Sequence, residues 1–332
     1  MTDLAPARPV IHHPRRPHEL RDRITHADDT IVLCHFGVAR LQSETWVLAV
    51  DGLVRHPQRI TFDELVNFPK TEITSIHQCC GSPLQPDVAT RRVCNVTWGG
   101  VRLSEVLENC HPDPAAGFLW ARGADVGTLN DEKPHSYVKD VPLSRVKEDI
   151  LIAYEMNGAP LRPENGYPAR LVIPGFYGTN SVKWLVQLIL AEARAIGPFT
   201  TRLYNDVVRD ISGRQIGTLP VWAIAPESII VSPAPGDRLK TGGPIAVWGW
   251  AWADGGVIDV DISTDEGKNW MPAVVEPIVG RGWQKFKLAW HPDRPGPCVL
   301  WSRARSADGH CQPVSGARND IYRVPIQLIG ES

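Results

Sequence analysis

The chain has 332 residues, 43% of them hydrophobic, and a formal net charge of −2 from 35 basic and 37 acidic side chains that are interspersed rather than blocked. That length exceeds one ordinary core and predicts two domains, while the balanced charge argues against nucleic acid or an anionic membrane surface as partner. Seven cysteines without paired CxxC spacings fit neither a structural zinc site nor a secreted disulfide framework.

Residues 1–25 contain Arg15-Arg16, but the PHELRDRITHADD that follows offers no apolar region for a translocon. The segment is expected to be extended or disordered, and the protein cytoplasmic. No stretch approaches the roughly 20 continuous apolar residues that cross a bilayer, so no membrane partner is expected. From 40 to about 205, short apolar runs (WVLAVDGLV, ARLVIPG) alternate with segments of helical period (TFDELVNF, RLSEVLENC), which predicts a mixed α/β domain over 26–222. Thr61 with Glu64 three residues later predicts a capped helix, and Ser104 ahead of EVLENC predicts the start of another.

Over 223–332 the texture changes to short strands joined by Gly, Asp and Pro turns: SIIVSPAPGDRL, PIAVWGWAWA, VIDVDISTDEGKNW, WQKFKLAWH and CVLWSRARSADGH. Alternation in IDVDIS places one face of an antiparallel sheet on a core, and an immunoglobulin-like β-sandwich of about 100 residues fills the region. The overall fold class is therefore α+β. Trp248, Trp250 and Trp252 share one face of a strand, which suggests a sheet and not a ligand cage.

SIHQCCGSPLQP is the most unusual local sequence, with adjacent cysteines after an alternating segment (EITSIH) and before a Gly-Ser-Pro turn. A thiolate at a strand end is well placed to bind a soft metal, and one cysteine suffices where a cofactor brings the remaining sulfur ligands. Two other readings stand beside this one. The cysteines could be small buried hydrophobes in a cofactor-free binding or scaffold protein. Alternatively Cys79 could be a hydrolase nucleophile with His77, although that pair has no identifiable orienting acid.

Three blocks in order resemble the sulfite oxidase family. LAVDGLVRHPQRITFDELVNFP, SIHQCCGSP and VCNVTWGGVRLSEVLE are similar to its molybdopterin domain. SYVKDVPLSRV followed by ILIAYEMNGAPLRPENGYPARLVIPGFYGTNSVKWL is similar to the stretch from its active-site tyrosine to its pterin-binding V-K-W segment. SIIVSPAPGDRLKTGGPIAVWGWAWADGGVIDVDISTDEGKNW is similar to its immunoglobulin-like dimerisation domain. The resemblance covers about 20–325. It implies a molybdenum–molybdopterin cofactor with no haem in this chain, and a homodimer formed through the C-terminal domain. It also implies a small oxyanion or S-/N-oxide substrate and a separate electron carrier.

Carried over by position, the family's QCAGN cysteine falls on Cys79, the expected metal ligand, with Cys80 in the place of alanine. A slip of one residue would exchange them, and on an extended strand they would point to opposite faces. The same carry-over implies cofactor contacts at His35, Asp125, Asn165 (a histidine in the family), Arg170, Ser181, Val182 and Lys183, and an active-site hydroxyl at Tyr137. Arg and Lys suit a dianionic phosphate through charge-assisted hydrogen bonds.

The family's anion-pocket arginines are largely replaced: by Leu33, by Pro83-Leu84, and near Val314, with Arg318 a shifted candidate. Arg91 and Arg92 are candidates to refill the space. A pocket without its cations does not offset desolvation of a sulfite dianion. The expected reaction is two-electron oxygen-atom transfer, with sulfite oxidation as one form and reduction of an S-oxide, N-oxide or nitrate as the alternative.

Overall fold

The computed structural model describes residues 10–11, 14–82, 88–129, 133–146, 149–316 and 318–330. Pro83 and Leu84 lie outside the described residues. Contacts divide the chain into two compact units, neither continuous in sequence: Met1–His12 with Thr30–Ile73 and Thr97–Trp222, and His13–Asp29 with Thr74–Val96 and Ala223–Ser332. Trp222 and Ala223 stand at one edge of this division. Thr74–Val96, which carries Cys79, groups with the C-terminal residues.

The first unit contains a five-stranded mixed sheet ordered Gln58–Thr61, Val47–Gly52, Leu185–Ala191, Phe118–Gly127 and His135–Pro142. Its pairs are antiparallel except Val47–Gly52 with Leu185–Ala191, which run parallel. Leu48, Val50, Leu119, Leu185 and Leu188 are fully buried in one core, as a strand's two-residue period requires of the face it turns inward. A second sheet orders Ala159–Pro160, Leu151–Met156, Val93–Arg102 and Lys70–Gln78, and Arg170–Val172 also pairs with Leu151–Met156.

Two α-helices stand among the described residues. Phe62–Val66 starts as expected: Thr61 Oγ1 accepts the Glu64 N–H at 3.3 Å, and the Glu64 carboxylate accepts the Thr61 N–H at 2.8 Å. The second, Leu103–Cys110, corrects the expectation for Ser104. The preceding strand runs directly into it, Leu103 donates its N–H to Ile150 O at 2.9 Å, and Ser104 lies inside the first turn with Arg102 at the cap.

The second unit is built on a β-sandwich. One sheet orders Glu227–Ser232, Ile245–Trp252, Gln284–Trp290 and Val274–Val275; the other orders Arg238–Lys240, Val324–Ile329, Gly296–Ser306, Val257–Ser263 and Met271–Pro272. Val247, Ala251, Phe286, Val260, Ile262, Leu300, Ala304 and Val324 fill the space between them. The tryptophans of Ile245–Trp252 occupy the opposite face. Trp250 Nε1 donates to Leu20 O at 2.7 Å, Trp252 Nε1 to Gln78 Oε1 at 2.9 Å, and Trp283 Nε1 to Arg23 O at 2.8 Å. Leu20, Arg23 and Gln78 thus lie on the outer face of the sandwich. Within residues 14–25, expected to be extended or disordered, Pro17–Glu19 is a 3₁₀ turn, and Leu20 and Thr25 are buried.

Candidate metal and cofactor site

Lys70–Gln78 is the strand that EITSIH predicted, and it ends at the residue before Cys79. The chain then turns: the Ser82 N–H donates to Cys79 O at 3.1 Å, and the Cys79 N–H donates to Arg92 O at 2.9 Å. Cys79 is half-buried and Cys80 is buried. The opposite-faces expectation assumed an extended strand; in this turn the Cys80 side chain instead hydrogen-bonds the Cys79 sulfur. That bond is the largest influence lowering the Cys79 thiol to about 6. Burial opposes it, while the Gly81 N–H, 3.5 Å from Sγ, and the Arg92 guanidinium reinforce it. The turn therefore presents a thiolate near neutral pH.

The arginine candidates separate clearly. Arg91 is 0% exposed; its Nε donates to Glu227 Oε1 at 3.1 Å, and its Nη1 to Val88 O at 2.7 Å and Thr90 O at 3.1 Å. Its guanidinium also lies over the Tyr322 ring at 4.7 Å. This corrects the expectation that Arg91 refills an anion pocket, because a buried cation already paired with a carboxylate is spent on structure. Arg92 is partly exposed and hydrogen-bonds the Cys79 sulfur. Arg318 Nη1 donates to the carbonyl of Cys80.

In the first unit, Asn165, Arg170, Ser181, Val182 and Lys183 come together. Arg170 is buried, and its two Nη groups donate to Asn165 O at 2.9 Å and Ser181 O at 3.0 Å while its guanidinium lies over Trp98 at 4.8 Å. Ser181 Oγ accepts the Ile173 N–H at 3.0 Å, and Val182 O accepts the Leu171 N–H at 2.8 Å. Lys183 Nζ donates to Glu164 O at 2.9 Å and reaches Cys34 Sγ at 3.0 Å. Burial lowers its pKa, partly offset by Cys34 and Asp125. Burial likewise pushes the Asp125 carboxyl up to about 6, with Lys183 pulling the other way. Gly166 allows this close packing: its φ is +108°, and a Cβ there would meet Lys183 Cβ at 3.0 Å and Arg170 Cβ at 3.2 Å.

His35 and Tyr137 form a neighbouring aromatic cluster in the same unit. Their rings stack with centroids 5.6 Å apart at 11°, and Phe199 packs 4.5 Å from Tyr137. The Tyr137 hydroxyl meets both Thr179 O and Thr179 Oγ1 at 2.8 Å. His35 Nε2 shares a hydrogen bond with the Tyr204 hydroxyl, and burial, then Lys183, lowers its pKa, which favours the neutral imidazole.

The family model for an oxidoreductase molybdopterin-binding domain matches residues 35–199, and that for a molybdenum-cofactor oxidoreductase dimerisation domain matches 219–291. The chain belongs to the sulfite oxidase family. Its cofactor is molybdenum–molybdopterin, and its α+β fold with a C-terminal sandwich is that family's. The mitochondrial sulfite oxidase of Drosophila melanogaster is 28% identical over 316 residues, 84% of this chain and 53% of that protein. Nitrate reductase [NADH] 1 of Oryza sativa subsp. japonica is 28% identical over 273 residues, 73% of this chain and 30% of that protein. The crystal structure of the sulfane dehydrogenase SoxCD from Paracoccus pantotrophus superposes with a TM-score of 0.77 at 28% identity, covering 92% of this chain and 82% of that one. The chain spans about half the length of the sulfite oxidases it matches, such as the 53% for the fly protein. No helix among the described residues is long and apolar enough to cross a membrane.

The sulfite oxidase family's cofactor fits the donors present. Cys79 would offer molybdenum a soft, readily ionised sulfur, and within the first unit Lys183 Nζ would offer the phosphate an N–H donor. Asn180 Oδ1, beside Ser181, is buried without a hydrogen-bond partner among the described residues, an acceptor suited to a pterin N–H. Sequence reasoning passed over Asn180, Thr179, Tyr204 and Cys34, whose contacts arise only on folding. It also passed over Glu227, although a carboxylate opening an apolar strand (ESIIVS) was a readable signal.

Proposed function

We propose that the chain catalyses two-electron oxygen-atom transfer, with Cys79 as the protein ligand to molybdenum. The observation that carries this reading is the preformed turn in which Cys80, Gly81 and Arg92 hold the Cys79 sulfur as a thiolate near neutral pH. The pterin-bound molybdenum supplies the redox change and the oxo transfer when present. Lys183, Asp125 and Asn180 hold the cofactor's charged and polar edges. Arg170 shapes that cradle by fixing the carbonyls of Asn165 and Ser181, while Val182 packs beneath it and Ser181 ties it to Ile173. The Tyr137 hydroxyl turns from Thr179 to donate a proton or hydrogen bond to substrate oxygen, and the stacked His35 ring keeps it in place.

The substrate is a small oxyanion, sulfite among the candidates, oxidised with electrons leaving to a separate carrier. Reduction of a neutral S-oxide or N-oxide, or of nitrate, is the second reading, favoured by the engagement of Arg91 with Glu227. The working form is a homodimer through the matched dimerisation domain. A cytoplasmic location suits its seven free cysteines. Metal and pterin analysis of wild type, Cys79→Ser and Cys80→Ser tests the ligand: loss of molybdenum confined to Cys79→Ser is expected, and loss confined to Cys80→Ser overturns it. Steady-state assay with sulfite against a panel of neutral sulfoxides separates the two directions.

A further inference from the structure

Gln78, the residue before Cys79, is 0% exposed. Its Nε2 donates to Ser82 O at 2.8 Å and to Glu227 Oε2, and lies 3.3 Å from Asn319 Oδ1. Its Oε1 accepts the indole N–H of Trp252, itself 1% exposed, at 2.9 Å. Asn319 is anchored in turn, donating from Nδ2 to Ala225 O at 2.8 Å.

Glu227, also 0% exposed, is where two arms of this network meet. One oxygen receives Gln78; the other receives Arg91 Nε at 3.1 Å. Arg91 precedes Arg92, whose N–H bonds Ser82 Oγ and whose carbonyl accepts the Cys79 N–H. The turn Cys79–Ser82 is thus gripped at Gln78, the end of the strand that enters it, at Ser82 within it, and at Arg91-Arg92 across from it, and a single carboxylate ties Gln78 to Arg91.

A buried ion pair of this kind seldom adds net stability over well-packed hydrophobic residues, but hydrogen bonds reaching the turn from both sides restrict it to one geometry, with only Arg91 Nη2 of the Gln78–Glu227–Arg91 network left without a partner among the described residues. We infer that Gln78 and Glu227 are positioning residues that set the orientation of the Cys79 sulfur, and that the C-terminal unit, through Glu227, Trp252 and Asn319, is part of the metal-ligand apparatus as well as the family's dimerisation module. This rests on Cys79 being the ligand. Glu227 and Trp252 both lie within the stretch matched by the dimerisation-domain model, 219–291.

Glu227→Gln, which keeps near-native volume, and Trp252→Phe, which removes the indole N–H and keeps an aromatic ring, test it. Three readouts are taken: molybdenum and pterin per chain, the sulfur-to-molybdenum charge-transfer band of the holoenzyme, and the rate at which iodoacetamide labels Cys79 in the apoprotein, followed by peptide mass spectrometry. The expected result is a shifted band and a Cys79 labelling rate changed at least threefold in Glu227→Gln, with a smaller change of the same sign in Trp252→Phe. A lowered Tm with band and labelling unchanged in both variants overturns the inference and leaves the network a stabilising one. If Glu227→Gln does not fold, Trp252→Phe decides alone on the same readouts. Cys79→Ser separates the levels: a native sulfur-to-molybdenum band there removes the ligand assignment itself, whereas a band changed there and native in Glu227→Gln, with labelling also unchanged, removes only the positioning role.

Discussion

Arg92 accepts the backbone N–H of Cys79 on its carbonyl oxygen at 2.9 Å, which fixes the arginine in register with the thiol it neighbours. The residue before it, Arg91, is buried against Glu227 while Arg92 remains partly exposed. Two adjacent arginines of the same charge therefore have different jobs, one internal and one facing the reactive sulfur.

In the apoprotein, the pH dependence of Cys79 alkylation should have its midpoint near the thiol's value of about 6. Cys80→Ala removes the largest influence holding that value down, so the midpoint moves up, by about one unit, and labelling near pH 6 slows several-fold. An unchanged midpoint would mean that the Cys80 contact does not support the thiolate.

Stability should carry a signature of Glu227, whose carboxyl burial pushes up to about 7 despite Arg91 and Gln78. A folded-state pKa above the ordinary value of 4.5 means the stabilising contribution is complete below about pH 4.5 and is lost as pH rises through 7. Wild type should lose roughly 3 kcal/mol relative to Glu227→Gln between pH 4.5 and 8 at most, at 1.36 kcal/mol per unit. Denaturant titrations at the two pH values, with parallel slopes for both proteins, would refute this.

Gly166→Ala places a side chain on a backbone with φ of +108° and against Lys183. About 1–2 kcal/mol of destabilisation is expected from the backbone alone, together with weaker retention of the pterin. Thermal melts and pterin content after dialysis measure the two effects separately.

Tyr137→Phe removes the hydroxyl that meets Thr179 and leaves the ring stacked on His35. Molybdenum content should be unchanged while kcat falls roughly ten- to a hundredfold, the range for loss of a positioned proton donor. Native kcat in a fully loaded variant would place the hydroxyl outside the reaction.

Much of the fold was readable because it follows local rules. The capping box at Thr61 and Glu64, the strand ending before Cys79 and the change to short strands after 222 are properties of a few adjacent residues. Ser104 misled because a good capping residue loses to tertiary context when a strand enters the helix directly at Leu103. The triplet Trp248, Trp250 and Trp252 gave the strand but not its sense: the inward face is Val247 and Ala251, and the indoles receive segments distant in sequence. Composition cannot name such partners. The same limit explains Arg91, whose pairing with Glu227 spans 136 positions, and the adjacent cysteines, whose relative orientation depends on where the strand stops.

The face of the sandwich that carries Trp250, Trp252 and Trp283 bears on how this chain comes to be folded. The second unit closes only when residues 13–29, 74–96 and 223–332 are all present, so its earliest-synthesised segments wait for its last. Contacts of such long sequence separation make for slow, late assembly. During that interval the Cys79 turn stands without Glu227, Trp252 and Asn319, the residues that hold Gln78 beside it.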